Sequence, residues 1–384
     1  MGHFATLGGM SQALFKAAES WLGHRKGGVA MAAVGACAGF GAICGSSLAT
    51  AATMSRVALP ELRRYGYSGG FSTATLAAGG TLGILIPPSV ALVIYAIVVE
   101  APIIDMFQAA ILPGILAVVF FLIVVRVRVA RNPSLAPQPE PLSDADRRHA
   151  IRRLLPVSLI FGSIILGLGL GLFTPTPAAG VGVFLILVYG AILRGYSDDG
   201  LTLARLKAAL LATAKTASMI YFILFSADIL KGFFARTGLP AALSDWAGSS
   251  TLEPYVILIA MLLILIVLGC FMESLSMILV VVPFFWPVLI QLNGGDFVSA
   301  DSAAFGLTTD ELRIWFGILA LIVVELGLIT PPVGLNVFVI KSFSPNTRLG
   351  VIFRGVAPFF AIELVRVAVL IALPFLSLYL PHIL

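Results

Sequence analysis

Charged side chains are scarce in this sequence. Only 11% of its 384 residues are Asp, Glu, Lys or Arg, whereas 59% are hydrophobic, and the mean hydropathy is +1.04. A soluble chain carries about 25% charged residues, so this composition excludes a soluble enzyme and a disordered regulator. It predicts an all-α polytopic membrane protein. At roughly 20 residues per crossing, about ten hydrophobic segments occupy the chain and leave no space for a soluble domain.

Cysteine and histidine are also scarce, and this limits the possible chemistry. The three cysteines, Cys37, Cys44 and Cys270, lie in apolar stretches without CxxC or Cys/His spacing. All four histidines fall at segment ends or in loops. The sequence therefore predicts no intramembrane zinc site and no histidine proton relay. We also expect no cofactor. Nucleic acid is not implied by the net charge of +5, because basic residues in loops mark the cytoplasmic face of a membrane protein.

One long polar connection divides the chain. Residues 126–153 hold seven arginines, three acids and a Pro-rich centre that includes Pro139 and Pro141, and are predicted to form a flexible cytoplasmic linker. We predict a first repeat over residues 1–125, with a hairpin at 28–64, a broken helix at 71–99 and a crossing at 107–125. The second repeat is predicted over residues 154–384, with scaffold helices at 154–234, a hairpin at 256–292, a broken helix at 314–340 and a last helix at 355–380.

The two parts contain matching motifs. With a shift of 227 residues, Ser47, Leu48 and Pro60 fall on Ser274, Leu275 and Pro287; with a shift of 244, Gly83, Pro87 and Pro88 fall on Gly327, Pro331 and Pro332. Each half therefore has a Ser-containing apolar hairpin, followed by a polar loop and a segment broken by Leu-Gly-x-x-x-Pro-Pro. Weak internal duplication of this kind is typical of secondary transporters.

Loop charges predict that the repeats are inverted. The first hairpin is followed by basic residues and the second by acidic ones: Arg56, Arg63 and Arg64 against Asp296, Asp301, Asp310 and Glu311. After the two Pro-Pro segments the signs are again opposite: Glu100 and Asp105 against Lys341, Arg348 and Arg354. Equivalent loops of opposite sign lie on opposite sides of the membrane, because basic loops stay inside.

The hairpin tips and helix breaks predict a binding site near the membrane midplane. Backbone breaks within a bilayer are tolerated only where protein, water or a bound ion satisfies the freed groups. Half-helix N-termini attract anions, whereas unwound carbonyls and hydroxyls suit Na⁺. The candidates in the first half are Gly45, Ser46, Ser47, Thr50, Gly83, Ile86 and Pro87. Those in the second half are Glu273, Ser274, Ser276, Gly327, Thr330, Val333, Gly334 and Asn336. The alternatives are small-residue helix packing for Gly45–Ser47 and simple kinks for the Pro-Pro pairs.

Acids within apolar segments are candidates for function. We expect Asp228 to pair with Lys231, and Glu363 with Arg366, because each pair has i,i+3 spacing. Glu273 and Glu325 have no local base. Glu273 lies at a hairpin tip, and four interpretations of it remain open: Na⁺ binding, shaping of a substrate chamber, proton transfer, or only contact with water. The sequence does not predict a specific role for Glu325.

Five motifs resemble the large membrane subunit of tripartite ATP-independent periplasmic (TRAP) transporters. They are GSSLATAA at residues 45–52, VALPELRRYGY at 57–67, GGTLGILIPPS at 79–89, FMES at 271–274 and ELGLITPPVGLN at 325–336. The resemblance implies an inverted-repeat, elevator-type fold with two re-entrant hairpins and two discontinuous helices. It also implies further scaffold helices before the position of Gly9, so we expect that the chain is incomplete or mis-started at its N-terminus.

The resemblance further implies a Na⁺-driven importer of organic acids in a bacterial or archaeal inner membrane. Its implied partners are a periplasmic substrate-binding protein, a small four-helix membrane subunit and the lipid bilayer. One implied Na⁺ site comprises Ser46, Ser47, Gly83, Ile86 and Pro87, and the other Gly327, Thr330 and Val333. The remaining candidates, Gly45, Thr50, Glu273, Ser274, Ser276, Gly334 and Asn336, are predicted to line the substrate chamber.

Three other functions compete with this prediction. A related inverted-repeat anion carrier would work without a binding protein, and a passive channel would show flux without Na⁺ coupling. A membrane-embedded enzyme would need intramembrane catalytic residues, and two serines near an acid without a histidine or lysine do not make a hydrolase. We therefore predict a transporter and not an enzyme.

Overall fold

A computed structural model describes residues 2–138, 143–194 and 202–383, and this part of the chain contains helices but no β-strand. Pro139 and Pro141 of the predicted linker lie outside the described residues. The helices are α1 (Gly2–Leu7), α2 (Met10–Leu22), α3 (Gly28–Cys44), α4 (Ser47–Arg64), α5 (Gly69–Leu85), α6 (Val90–Val99), α7 (Ile103–Arg131), α8 (Asp144–Gly169), α9 (Pro175–Arg194), α10 (Leu203–Thr237), α11 (Leu239–Ser249), α12 (Pro254–Gly269), α13 (Ser274–Asn293), α14 (Thr309–Gly327), α15 (Leu335–Phe343), α16 (Leu349–Ala372) and α17 (Phe375–Ile383).

Several helices are long and apolar enough to cross a membrane. Among the described residues, five helices meet this condition by length and composition. The pair α5 and α6, bent by 47° at its break, would form a sixth span. These helices, together with the two hairpins and two interrupted helices, confirm the predicted all-α polytopic fold class.

Two pairs of consecutive helices each form a hairpin. The first consists of α3 and α4 and the second of α12 and α13. Their second helices begin at side chains that cap free backbone amides: Ser46 accepts from the Ala49 amide, and Glu273 accepts from the Leu275 amide at 2.9 Å. Ser46 and Glu273 are equivalent under the 227-residue shift, so the two tips share one backbone design with different capping groups.

The two broken helices form the centre of the molecule. Every residue of α5 from Phe71 to Leu85 is buried, and so is every residue of α14 from Ile314 to Gly327. By contrast, among the residues of α10 whose side chains are described, only Ala209 and Ala227 are buried. A helix that is apolar and covered on all sides belongs to the core, whereas α10 presents most of its surface outward.

The two halves interlock through their broken helices. Each hairpin packs against the first arm of its own half, α3 and α4 against α5, and α12 and α13 against α14. The second arms cross over, so that α6 packs against α13 and α15 packs against α4 and α5. Across this boundary the Tyr95 hydroxyl donates to the Arg313 carbonyl at 2.8 Å. The four elements of the predicted site therefore form one packed unit.

Several segment ends differ from the sequence-based prediction. Helix α7 continues to Arg131 and α8 starts at Asp144, so both ends of the predicted linker are helical. Charged residues can prolong a helix into water until a proline stops it, and Pro133 does so here. The predicted last helix is two helices, α16 and α17, because Pro374 cannot continue the backbone hydrogen-bond pattern of α16.

The proline between α16 and α17 leaves the Leu370 carbonyl without its usual partner four residues later. The indole N–H of the buried Trp315 on α14 donates to this carbonyl at 2.8 Å. Trp315→Phe is expected to lower the free energy of unfolding by about 1–3 kcal/mol, because a buried carbonyl would lose its donor. Thermal unfolding in detergent measures this loss of stability. Trp21→Phe is the control, because Trp21 is 60% exposed; equal effects of the two changes would contradict the assignment.

Candidate functional site

The first hairpin tip contacts the first helix break. Gly45 adopts a left-handed conformation (φ 63°), and a Cβ there would lie 3.1 Å from the Val90 amide nitrogen. A Cβ on Gly83 would lie 2.5 Å from the Thr50 hydroxyl oxygen and 2.8 Å from the Ser46 carbonyl oxygen. Only glycine permits these approaches. The structure thus brings a hydroxyl and a tip carbonyl against the end of α5.

The second hairpin tip contacts the second break in a similar way. Gly334, also left-handed (φ 64°), donates its amide to the Cys270 carbonyl at the tip, at 3.3 Å. Within the break, the Thr330 hydroxyl donates to the Leu326 carbonyl at 2.6 Å, and a Cβ on Gly334 would lie 3.1 Å from the Thr330 carbonyl oxygen. Val333 lies next to Gly334 in the same non-helical segment.

Each broken helix also touches the first helix of its hairpin through two glycines. A Cβ on Gly41 of α3 would lie 2.5 Å from the Gly83 Cα, and a Cβ on Gly327 would lie 2.5 Å from the Gly269 Cα of α12. Backbones this close leave no space for a side chain. Sequence reasoning identified Gly83 and Gly327 but missed Gly41 and Gly269, which lie within one turn of the ends of α3 and α12.

Glu325 connects the two hairpin tips. The Ser47 hydroxyl and the Ser274 hydroxyl both donate to Glu325 Oε1, each at 2.7 Å. All three side chains are buried. No lysine, arginine or histidine of the described residues forms an ion pair with Glu325, and its Oε2 has no hydrogen-bond partner among them. The charged groups acting on Glu325 electrostatically include two further acids, Glu273 and Glu363.

Asn336 is a further buried polar residue of the second half. Its side chain is fully buried, and neither its oxygen nor its nitrogen has a hydrogen-bond partner among the described residues. The amide nitrogen lies 3.4 Å from the position of a Cβ on Gly80, so this second-half side chain packs on α5 of the first half. A buried polar group without a partner is costly and calls for an explanation such as a bound group. Its first-half equivalent, Leu92, is apolar.

Three residues of the predicted site have surroundings other than the polar tip contacts: Ile86, Pro87 and Ser276. Ile86 and Pro87 line an apolar cavity of about 530 Å³ against α7 and α8. Ile86 ends α5, its amide donating to the Leu82 carbonyl at 3.3 Å. Ser276 is partly exposed in the first turn of α13. The Pro87–Pro88 and Pro331–Pro332 peptide bonds are both cis.

The two expected ion pairs have different outcomes. Glu363 and Arg366 form a buried ion pair on α16, and Arg366 Nη1 also donates to the Pro113 carbonyl of α7 at 3.0 Å. This pair therefore joins two helices. Asp228 and Lys231 form no ion pair within the described part of α10, whose surface is largely exposed.

Glu325 is the main residue whose role sequence reasoning missed. The available signal was an acid in an apolar segment, without a local base, two residues before the glycine of the Pro-Pro motif. That signal marks a residue of interest but does not reveal its partners. Ser47 lies 278 residues away in the sequence, and such a distant contact leaves no periodic pattern.

Known proteins with similar sequences cover the whole chain. A large permease protein DctM of a C4-dicarboxylate TRAP transporter from Pseudomonas aeruginosa is 33% identical over 384 residues, covering 99% of this chain and 84% of that protein. The large permease protein SiaM of a sialic acid TRAP transporter from Vibrio cholerae is 28% identical, and TeaC of an ectoine TRAP transporter from Halomonas elongata is 28% identical. They cover 100% and 98% of this chain, and the chain covers 84% and 82% of them.

A solved structure shares the fold. The crystal structure of the Alcanivorax borkumensis YdaH transporter, described as having an unusual topology, superposes with a TM-score of 0.63 at 14% sequence identity. It covers 99% of this chain, and the chain covers 84% of it. At this identity the likeness concerns the fold alone.

A family model decides the classification. The model of the DctM component of tripartite ATP-independent periplasmic transporters matches residues 1–376. The relatives are named for different substrates, so family membership leaves the substrate of this chain open. The chain belongs to the DctM family of TRAP transporters, as a large transporter permease and not an enzyme.

Proposed function

We propose that this permease imports an organic acid, a C4-dicarboxylate or another carboxylate, by coupling it to Na⁺ entry. The observation that carries the proposal is the meeting of both hairpin tips with both helix breaks around buried polar groups. Transporters bind substrate and coupling ion at such breaks, where backbone groups are free to act as ligands.

The oxygen-rich surroundings of each break support a hard monovalent cation. In the first half, the Thr50 hydroxyl and the Ser46 carbonyl lie against Gly83. In the second half, Thr330 and the non-helical residues up to Gly334 offer a hydroxyl and carbonyls. Neutral oxygen donors of this kind suit Na⁺.

The substrate is proposed to lie between the two tips. Helices α4 and α13 begin there, and their N-terminal amides attract an anionic carboxylate. The Asn336 amide, which has no partner among the described residues, is able to donate to a substrate oxygen and accept from a hydroxyl. This arrangement recognises a carboxylate without any arginine, which is consistent with the weak substrate signature of the sequence.

The interlocked packing supports movement of the two hairpins and two broken helices as one transport unit. Helices α8, α9 and α10 carry many exposed apolar side chains, among them Leu166, Phe184, Phe222 and Phe225. Such surfaces suit lipid and a small membrane subunit. We place the protein in a bacterial or archaeal inner membrane, where a periplasmic binding protein delivers the acid and an elevator motion carries it across.

Uptake into proteoliposomes tests this proposal. The chain is reconstituted with its small subunit, and uptake of a radiolabelled C4-dicarboxylate is measured with and without binding protein and with an inward Na⁺ or K⁺ gradient. Uptake that requires both Na⁺ and the binding protein supports the proposal. Uptake without the binding protein would favour a stand-alone anion carrier, and flux that does not depend on Na⁺ would favour a passive channel; either result contradicts the proposal.

Removal of one hydroxyl tests the second cation site. Thr330→Val is expected to raise the half-saturating Na⁺ concentration about tenfold, because a lost ligand worth about 1.4 kcal/mol corresponds to one decade in affinity. Thr75→Val is a matched control, since the Thr75 hydroxyl also donates to the carbonyl four residues earlier, at 2.9 Å, but lies within the continuous helix α5. Equal Na⁺ dependence in both variants would remove Thr330 from the site.

A further inference from the structure

Three side chains from three separate elements meet at one oxygen atom. Ser47 starts α4 of the first hairpin, Ser274 starts α13 of the second hairpin, and Glu325 lies near the end of α14. Both hydroxyls donate to Glu325 Oε1 at 2.7 Å, so the two hydroxyl oxygens lie at most twice this distance apart. We call Ser47, Ser274 and Glu325 the tip clamp.

The tip clamp is not a duplicated feature of the repeat. Under the 244-residue shift, Glu325 corresponds to Thr81, whose hydroxyl donates to the Ala78 carbonyl within its own helix at 2.6 Å. Ser47 and Ser274 are equivalent to each other, and both use the single acid of the second half. Glu325 therefore accepts hydrogen bonds from both halves, whereas its first-half equivalent, Thr81, bonds only within its own helix.

Packing alone does not explain an acid at this position. The neighbouring residues Val323, Val324 and Leu326 are buried and apolar, and an apolar side chain would fill position 325 without leaving an oxygen unpaired. A buried carboxyl group with two donors on one oxygen and none on the other is unfavourable compared with an apolar side chain. We therefore expect the carboxyl group at position 325 to have a function that offsets the free-energy cost of burying it.

We propose that Glu325 is a positioning residue that couples the two half-sites by holding both hairpin tips. Each tip contacts the helix break at which one cation site is proposed, so a change at one tip is transmitted to the other through the shared acceptor. Binding of Na⁺ at one half then orders the other half, and the dependence of uptake on Na⁺ is cooperative. This inference rests on the proposed Na⁺-coupled function.

The Na⁺ dependence of initial uptake rates tests the coupling. For the wild-type chain with its partners we expect a Hill coefficient above one. Glu325→Leu removes the acceptor and is expected to lower the Hill coefficient to about one and to raise the half-saturating Na⁺ concentration about tenfold. Glu325→Gln keeps an oxygen that is able to accept both hydroxyls and is expected to retain the cooperativity.

The serines provide a second, independent measurement. A Ser47→Ala/Ser274→Ala chain is expected to show the same loss of cooperativity as Glu325→Leu, and adding Glu325→Leu to it is expected to change the Hill coefficient little, because residues that act through one another are not additive. Thr81→Val is the matched control, since it removes a buried hydroxyl at the equivalent position whose bond stays within its own helix. It is expected to keep the wild-type Hill coefficient.

The outcomes of these experiments distinguish failure of the coupling inference from failure of the proposed function. A wild-type chain without Na⁺-dependent uptake would overturn both. A cooperative wild type whose Glu325→Leu or double-serine variant stays equally cooperative would overturn the coupling alone. Loss of cooperativity in Glu325→Gln as complete as in Glu325→Leu would also overturn it, since the charge and not the acceptor would then be required. If Glu325→Leu fails to fold, the Gln and double-serine chains still decide the matter.

Discussion

Gly327→Ala is expected to reduce Na⁺-driven uptake by roughly 100-fold or more. The added Cβ would lie 2.5 Å from the Cα and carbonyl carbon of Gly269 and 2.8 Å from the Ile266 carbonyl oxygen. These are backbone atoms, so relief requires α14 to move away from α12. Overpacking of this kind costs about 1–3 kcal/mol, which exceeds the gain of about 1 kcal/mol in helix propensity. Because the movement occurs where the second break meets its hairpin, the site is distorted together with the packing.

Uptake assays and thermal unfolding measure the two effects of Gly327→Ala together. Gly162→Ala is the control, because Gly162 lies inside α8 and, apart from the nearby backbone of α8 itself, no described atom lies within 4 Å of the position of its Cβ. The control is expected to transport normally and to unfold at the same or a slightly higher temperature. Normal uptake by Gly327→Ala would show that the close glycine contact is not needed for transport.

Asn336→Leu is expected to reduce uptake about 10- to 100-fold without destabilising the protein. The Asn336 amide is fully buried and has no partner among the described residues. Leucine has the same branching, and it occupies the equivalent first-half position, Leu92. Replacing an unpaired buried amide by an apolar group of similar shape is expected to raise the free energy of unfolding by about 1 kcal/mol. A lost hydrogen bond to an occupant of the site accounts for the fall in uptake.

Asn293→Leu provides a control with the opposite effect on stability. Asn293 is also buried, but its amide donates to the Leu307 carbonyl at 2.8 Å and its oxygen accepts from the Phe305 amide at 3.2 Å. Its replacement leaves two backbone groups unpaired and is expected to lower the free energy of unfolding by about 2–4 kcal/mol. Destabilisation by Asn336→Leu of the same size would indicate a structural role for Asn336 and would contradict its place in the site.

The hairpins and helix breaks were predictable because their causes are local. Prolines remove backbone donors wherever they occur, so Pro87–Pro88 and Pro331–Pro332 interrupt the helices on either side. Serines and glycines at the tips cap or turn the chain in the same manner in any surrounding structure. Boundaries were less predictable. At the split between α16 and α17, Pro374 frees the Leu370 carbonyl, and the donor to this carbonyl is Trp315, a residue of another helix.

The contacts that assemble the site were not predictable, because they join distant residues without a repeating pattern. Ser47 and Glu325 are separated by 278 residues, and Asn336 packs on Gly80 of the other half. Gly41 and Gly269 carried no signal among the 38 glycines of the chain. The 227-residue shift relates Ser47 to Ser274, yet it does not indicate that both would donate to the same carboxyl oxygen.

The sequence by itself determined the membrane class, the helical fold, the two hairpins and the two breaks. The scarcity of charged residues and the apolar runs act through the solvent, and the Pro-Pro pairs act through backbone geometry. Both effects operate on each segment independently of the other segments. The tertiary structure decided that the two halves interlock and that Glu325 joins their tips. Burial removes water as a competing partner, so each polar group must find its partner among whichever side chains the packing of separate elements brings close to it.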